Sequence, residues 1–258
     1  MRADVDKNKV LLLTGATGKL GRLLFAHFLN AGWTVVATSR DRTRLDALLA
    51  EHSQQAERAF GVVVDFQLPG AVPGVVRELS KKGLFITRLI NNARSLATLA
   101  VKPDGTTQRA HFMQEFDLDV VVPYELTMAL AQSDEHQLRS VVNIGSQYGL
   151  VAPNPALYDD GLNQSPIQYG VSKAGLHHLT RELAVRLAPQ GIQVNCVAFG
   201  GVEGRNDTSF LRRYAELVPT RRMLNETEVA GPVAFLLDEA SSAVNGHVLV
   251  ADGGWTLW

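Results

Sequence analysis

Cysteine is almost absent from these 258 residues: Cys196 stands alone. That excludes an internal disulfide framework and any cysteine-clustered metal centre. Its place in the apolar run 192–199 marks it as a small buried hydrophobe. Long apolar runs are missing too. None approaches the ~20 residues of a membrane span, and the opening MRADVDKNK is too polar for a signal peptide. Neither sign of charge is in excess: 25 Lys and Arg face 26 Asp and Glu, a formal net charge of −1. No bulk field draws the chain to nucleic acid or to a membrane surface. The seven histidines lack zinc-binding spacing, the neighbours His177 and His178 read as helix surface, and no metal is expected. These absences leave a soluble, cytoplasmic protein whose partner is a small molecule.

What is present is strand and helix in alternation. Apolar runs at 10–14, 33–38, 60–64, 88–91, 140–144, 192–198 and 246–250 read as strands. Helix-like spacing fills 19–30, 42–50 and 71–81, where Pro73 falls in the tolerant first turn. A long helix is expected over 110–132, kinked by Pro123, and another over 168–188, stopped by Pro189, Gln190 and Gly191. Such alternation predicts an α/β, doubly wound (Rossmann) parallel sheet of about seven strands with helices on both faces. No repeat, low-complexity tract or linker divides the chain. One domain over 1–258 is expected, with a polar, Arg-rich mobile lid around 203–225.

TGATGKLG, at 14–21, follows the first strand and opens the first helix. Glycines there let the backbone turn sharply and approach a pyrophosphate, and the helix N-terminus offers unpaired N–H groups. The plainer alternative is a tight strand-to-helix turn. At the tip of the second strand, where an NAD site places a carboxylate on the ribose, stand Ser39 and Arg40. A hydroxyl and a guanidinium suit a 2′-phosphate, and Lys19 adds a positive charge, so NADP(H) is favoured over NAD(H). Otherwise Arg40 faces solvent and Asp41 caps the next helix. Asp65, ending the third strand, could accept from an adenine amino group or cap a turn.

Tyr169 precedes Lys173 by four residues, which on a helix sets both on one face. An ammonium beside a phenol favours the phenolate and lets a tyrosine exchange a proton near neutral pH. Ser146, upstream, could hold the oxygen that gains or loses the proton. Of the five tyrosines only Tyr169 has a lysine at this spacing.

With TGATGKLG stand VVD at 63–65, NNA at 91–93, NIGS at 143–146, YGVSK at 169–173, VNCVAFG at 194–200 and DGG at 252–254. In this order and spacing the chain resembles the single-domain short-chain dehydrogenase/reductase family. The resemblance covers nearly its whole length. It implies an oxidoreductase in which Tyr169 is the acid/base, Lys173 supports it and holds the nicotinamide ribose, and Ser146 binds the substrate oxygen. The implied cofactor set is Gly15, Thr17, Gly18, Lys19, Leu20, Gly21, Ser39, Arg40, Asp65, Phe66, Asn92, Ala93, Gly200 and Val202, with Tyr169 and Lys173. A homodimer or homotetramer is also implied, and Trp255, Leu257 and Trp258 are either a partner surface or fold back on their own subunit.

Several positions depart from the family. The second glycine of the turn comes one residue early. Arg94 replaces the glycine after NNA, bringing a bulky cation near the cofactor. Asp119, in FDLDVVV, stands where the family usually has asparagine in its proton relay; a carboxylate there partly neutralises Lys173. Phe199 replaces a proline, and Gly204 a threonine that often holds the carboxamide. The insertion over 151–165 resembles members associated with bacterial sugars, nonulosonic acids and flagellin glycosylation. Tyr158, Asp159, Asp160, Asn163 and Gln164 could bond hydroxyls, or belong to an ordinary surface loop. Arg205, Arg212, Arg213, Arg221 and Arg222 could clamp an anion, or form an exposed helix face. The expected reaction interconverts a secondary alcohol and a ketone on a sugar-like substrate, an anionic one if the arginines clamp it. Alternatives are a 3-oxoacyl-thioester reductase, with Phe199, Phe210, Leu211 and Leu224 as an acyl channel, and a non-catalytic nucleotide-binding sensor or scaffold.

Overall fold

A computed structural model of the chain describes residues 9–133, 137–204 and 206–258; Arg205 and the polar residues 1–8 lie outside them. β1 (Val10–Leu13) runs through a glycine turn into α1 (Lys19–Asn30), then β2 (Thr34–Ser39), α2 (Arg42–Glu51), β3 (Ala59–Val63), α3 (Ala71–Lys81) and β4 (Arg88–Asn91). The second half adds α4 (Arg109–Phe116), α5 (Val122–Ala131), β5 (Ser140–Ser146), α6 (Ile167–Leu187), β6 (Gln193–Phe199), α7 (Thr208–Leu217), α8 (Ala230–Leu237) and β7 (Val248–Ala251). The seven strands form one sheet in the order β3-β2-β1-β4-β5-β6-β7, with every neighbouring pair parallel. This is the doubly wound sheet that the alternation predicts.

Side chains alternate across the strands, so each face has its own core. Leu12, Val36 and Val141 meet Val75, Leu126 and Leu183 on one side. Leu11, Leu13 and Val35 meet Leu24, Phe25 and Val233 on the other. Each fully buried aliphatic side chain contributes roughly 1.5–3 kcal/mol of transfer free energy. Crossing β4, β5 and α6, Asn91 donates to Asn143 at 2.8 Å and Asn143 to Thr180 at 2.9 Å, a buried polar chain that fixes how the helix sits on the sheet.

Two elements differ from expectation. The helix predicted over 110–132 is interrupted by a π turn, Asp117–Val121, in which the Val122 N–H bonds the carbonyl of Asp117. Pro123 accounts for it: it has no N–H for the Asp119 carbonyl four residues back, and in a regular α turn its ring would clash with that carbonyl. The sequence reading also passed over α8. AGPVAFLL is apolar on all sides, and Val233, Leu236 and Leu237 are buried against β5 and α1. It shows no amphipathic stripe. Among the described residues no helix is long and apolar enough to cross a membrane, and no group of His, Cys, Asp and Glu could hold a metal ion.

Candidate active site

Chain order reverses between β1 and β4, which opens a crevice at the C-terminal ends of the strands. A cleft of about 830 Å³ lies there. Every expected cofactor residue lines it, as do Ser146, Tyr169 and Lys173. Asp119 does not; it lies buried behind Lys173.

The glycine turn is packed so closely that side chains do not fit. Gly15 has φ 64°, and a Cβ on it would lie 2.7 Å from Cα of Ala93. A Cβ on Gly21 would overlap the Gly15 carbonyl. Thr14 Oγ1 accepts from the N–H groups of Asn92 (2.8 Å) and Ala93 (2.9 Å), and Asn92 Nδ2 donates to the carbonyls of Thr14 and Gly15, so β4 clamps the turn. α1 starts without a capping side chain or an acidic residue in its first turn. Such a turn fits a phosphate-bearing cofactor.

Further along the cleft the Thr17 and Ser39 hydroxyls bond each other at 3.0 Å, and Arg40 is exposed beside them. Asp41 caps α2 by accepting from the Arg44 N–H at 3.0 Å. Arg44 also reaches back, donating from Nη2 to the Thr17 carbonyl at 2.9 Å, and so puts a second guanidinium beside Arg40. The sequence reading missed it. Its signal is a cation in the first turn of a helix, where the dipole disfavours one. Lys19 lines the cleft and also bonds across it. Its ammonium donates to the carbonyls of Val202 (2.9 Å) and Glu203, and so ties the glycine turn to the segment after β6. Asp65 accepts from the Gln67 N–H at 3.0 Å, making it a turn cap that still lines the cleft.

At the other end, Tyr169 and Lys173 occupy successive turns of α6. Lys173 Nζ lies 5.7 Å from the tyrosine ring centroid and donates to Asp119 Oδ1 at 2.8 Å and to the Ile144 carbonyl at 3.0 Å. The second Asp119 oxygen accepts from Ser172 at 2.7 Å, and both partners of the ion pair are buried. Burial pulls the Lys173 ammonium down, but Asp119 and then Tyr169 outweigh it and leave the group above the ordinary lysine range. Ser146 Oγ accepts from the Tyr148 N–H at 3.2 Å. The Arg94 guanidinium lies over the Tyr169 ring, 4.9 Å from its centroid.

Two buried ionisable groups were not legible beforehand. His177 is not helix surface: it is 2% exposed, whereas His178 is exposed. Glycines at 145 and 149 make room for its ring, since a Cβ at either would collide with it. Burial, then the charge of Lys173, pushes its imidazole down to about 4, so it stays neutral. Glu115, on α4, accepts from Thr98, and burial followed by Asp119 raises its carboxyl.

The substrate side bears on three pairs of alternatives left open by the sequence. Of the polar insertion only Tyr158 lines the cleft; Asp159 pairs with Arg213 at 2.8 Å, Asn163 donates to Asp160 at 3.4 Å, and Gln164 accepts from the N–H groups of Asp159 and Asp160. None of the described lid arginines lines it. Arg213 also donates to the Leu157 carbonyl, Arg222 pairs with Glu228 at 2.7 Å, Arg221 donates to the Glu216 carbonyl, and Arg212 is exposed. Carboxylate partners hold Arg213 and Arg222 locally. Last, Trp255 folds back on its own chain, 5% exposed and stacked on Tyr214 at 4.6 Å, while Leu257 and Trp258 remain exposed. Asp252 of the DGG motif holds that turn, accepting from the N–H groups of Gly254 and Thr256. Tyr148, Tyr158, Phe199, Phe210 and Tyr214, with Met223 beside them, give this end a largely aromatic wall. Of the proposed acyl channel, Leu211 joins the cluster behind Phe210, and Leu224 belongs to the sheet core.

A doubly wound sheet with a glycine turn at one end of its cleft and a Ser–Tyr–Lys set at the other defines an oxidoreductase architecture. Residues 15–256 match the family described as enoyl-(acyl carrier protein) reductase, and the chain belongs to the short-chain dehydrogenase/reductase family. It is 31% identical to an uncharacterized short-chain type dehydrogenase/reductase of Sinorhizobium fredii over 98% of this chain, but spans only 44% of that protein. It is 23% identical to the post-translational flagellin modification protein A of Campylobacter coli, over 97% of this chain and 99% of that one. A short chain dehydrogenase from Leptospira borgpetersenii, solved with bound NAD+, superposes with a TM-score of 0.83 at 25% identity, covering 96% of this chain and 93% of its own.

Proposed function

We propose that the protein is an NADP(H)-dependent oxidoreductase that interconverts a secondary alcohol and a ketone on a sugar-like substrate. The observation carrying this reading is that Ser146, Tyr169 and Lys173 share one cleft with the glycine turn and the Arg40–Arg44 pair. The nicotinamide, when bound, supplies or takes the hydride. The chain's own work is alignment and proton transfer. Ser146 already accepts a bond from Tyr148, which leaves its O–H to donate to the substrate oxygen. Tyr169 gives or takes the proton on that oxygen. Lys173 has two of its three N–H donors fixed by Asp119 and Ile144, leaving one for the cofactor ribose. Tyr148 does not compete as proton donor, because burial and then the Tyr158 hydroxyl hold its phenol well above the ordinary range.

Gly15, Thr17, Gly18, Lys19, Leu20 and Gly21 would cradle the pyrophosphate, with Arg40 and Arg44 at the 2′-phosphate and Asp65 and Phe66 at the adenine. Asn92, Ala93, Gly200 and Val202 would border the nicotinamide half. We read residues 1–258 as one domain in which the segment around 203–225 closes over the substrate. The sugar-like reading is supported by the aromatic wall, on which a sugar's C–H face can pack, and by the flagellin-modifying relative. The same wall, with Phe199, Phe210 and Met223, favours 3-oxoacyl-thioester reduction as the second reading. Exposed Phe116 on α4, and Val171 and Val185 on α6, support a homodimer or homotetramer; a monomer by light scattering would reject it.

NADPH oxidation with a panel of keto-sugars and 3-oxoacyl thioesters tests the reading. Tyr169→Phe is expected to lose activity about 10³-fold while binding cofactor. Equal activity in both proteins would sink the assignment of Tyr169 as acid/base, and no activity with any ketone in either would favour a non-catalytic nucleotide binder. Replacing both Arg40 and Arg44 with alanine is expected to weaken NADPH at least ~10-fold more than NADH, through loss of charge-assisted bonds. An unchanged preference would remove their role.

A further inference from the structure

We propose that Arg94 is a positioning residue that offsets Asp119, supplying over the face of Tyr169 the positive charge that the carboxylate cancels at Lys173. The inference rests on Tyr169 being the proton-transfer group. Its basis is a charge count around one phenol. From α6, Lys173 approaches the Tyr169 ring at 5.7 Å, yet the Asp119 carboxylate meets its ammonium at 2.8 Å inside the protein. The π turn thus brings a matching negative charge to the lysine that would otherwise favour the phenolate. From the loop after β4, the Arg94 guanidinium lies 4.9 Å from the same ring centroid, nearer than Lys173.

Three further side-chain environments border Tyr169. Glu115 of α4 is the carboxylate that senses Arg94, and it makes no ion pair among the described residues; burial and Asp119 favour its neutral form. His177 of α6 is held neutral by burial and by Lys173. Ser146 and Tyr148, from β5 and the turn after it, are uncharged, and burial keeps the Tyr148 phenol protonated. Of the two cations within about 6 Å of the Tyr169 ring, Lys173 is paired with Asp119 and Arg94 is not paired among the described residues, so the positive charge left over the phenol is the arginine's. Arg94 has no acidic partner within ion-pair distance among the described residues, so its field is not cancelled locally. The two departures from the family, glycine to Arg94 and asparagine to Asp119, then form one compensated change.

Tyrosine ionisation can be read without substrate by NMR, in protein carrying ring-labelled tyrosine, with Tyr169→Phe assigning the resonance. Arg94→Gly is expected to raise the Tyr169 midpoint by about half to one pH unit, the exposed arginine being partly screened by solvent. Arg94→Lys, which keeps the charge, should stay near wild type, while Arg94→Gln should follow the glycine variant. Asp119→Asn should lower the midpoint by about one unit, and the Arg94→Gly, Asp119→Asn double variant should return toward wild type. A midpoint unmoved by Arg94→Gly, or moved equally by lysine and glycine, would overturn the proposal. So would a wild-type Tyr169 that does not ionise before the protein unfolds in base. Retained turnover in Tyr169→Phe would instead sink the functional reading, independently of these midpoints.

Discussion

The two ends of the cleft are built differently. At the cofactor end the wall is mostly main chain: Gly15, Gly18 and Gly21 fall within seven residues, and Thr14 and Asn92 clamp them through backbone groups. At the substrate end the wall is side chain. Leu157, Tyr214, Val218, Met223 and Trp255 come from the insertion, α7, the segment after it and the C-terminal turn, and cohere by packing. A wall made of backbone must be encoded by what is omitted, here Cβ atoms, and therefore leaves a motif. A wall made of packed rings is encoded by size and apolarity, which many arrangements satisfy.

That contrast can be broken experimentally. The largest effect is expected from Gly21→Val, whose side chain would collide with the Gly15 carbonyl. It should abolish NADPH binding in a fluorescence titration and destabilise the fold by roughly 2–3 kcal/mol through overpacking. Near-normal cofactor affinity would show that the turn is not the rigid template described. Trp255→Ala should do the reverse, removing about 3 kcal/mol of local packing from the substrate end. Turnover should then fall while NADPH affinity holds within about twofold, the sites being independent. A parallel loss of both would mean that the two ends are one cooperative unit.

Between them lies His177, behind Ser146. Its folded-state value of about 4 lies below the ordinary 6.5, so the unfolded chain binds the extra proton in that interval. Stability from the neutral ring is complete above pH 6.5 and is lost as pH falls toward 4, by roughly 3 kcal/mol. Urea melts of wild type and His177→Gln across this window should show the slope shrinking in the variant, and an identical slope would reject the histidine as its source. The smallest effect is expected from Asp159→Asn. Its partner Arg213 keeps the Leu157 carbonyl, and Asp159 is mostly exposed, so a loss of under about 1 kcal/mol is anticipated in thermal melts. A larger loss would show that the insertion is held by charge rather than by Leu157 and its aromatic neighbours.

Legibility in the sequence followed the same divide. α1 and α3 carry the expected bounds, and β1 and β2 lie within a residue of theirs, because their periodicity and flanking glycines are local signals. The four-residue spacing of Tyr169 and Lys173 does put them side by side on α6, and Asp119 does meet Lys173. His177 was misread because its burial is set by glycines 28 and 32 residues upstream, not by its own helix. The lid arginines admitted both an anion clamp and an exposed face because composition shows a charge but not its partner; Asp159 and Glu228 become partners only in the folded chain. Glu115 had no local signal, since nothing in RAHFMQEF marks its carboxylate as facing inward.

The π turn before Pro123 has a rotational consequence. Each residue of an α-helix advances the side-chain direction by about 100°, so one extra residue sets the faces of α4 and α5 out of phase by that angle. Downstream, Val122, Leu126 and Leu130 face the sheet core; upstream, Met113 and Phe116 are exposed. The approach of Asp119 to Lys173 is thereby a matter of angular phase along one helix axis. Pro123→Ala would let the helix wind regularly and swing the carboxylate off its lysine without altering either residue, whereas no substitution at position 119 could restore a phase lost by deleting a residue from the turn.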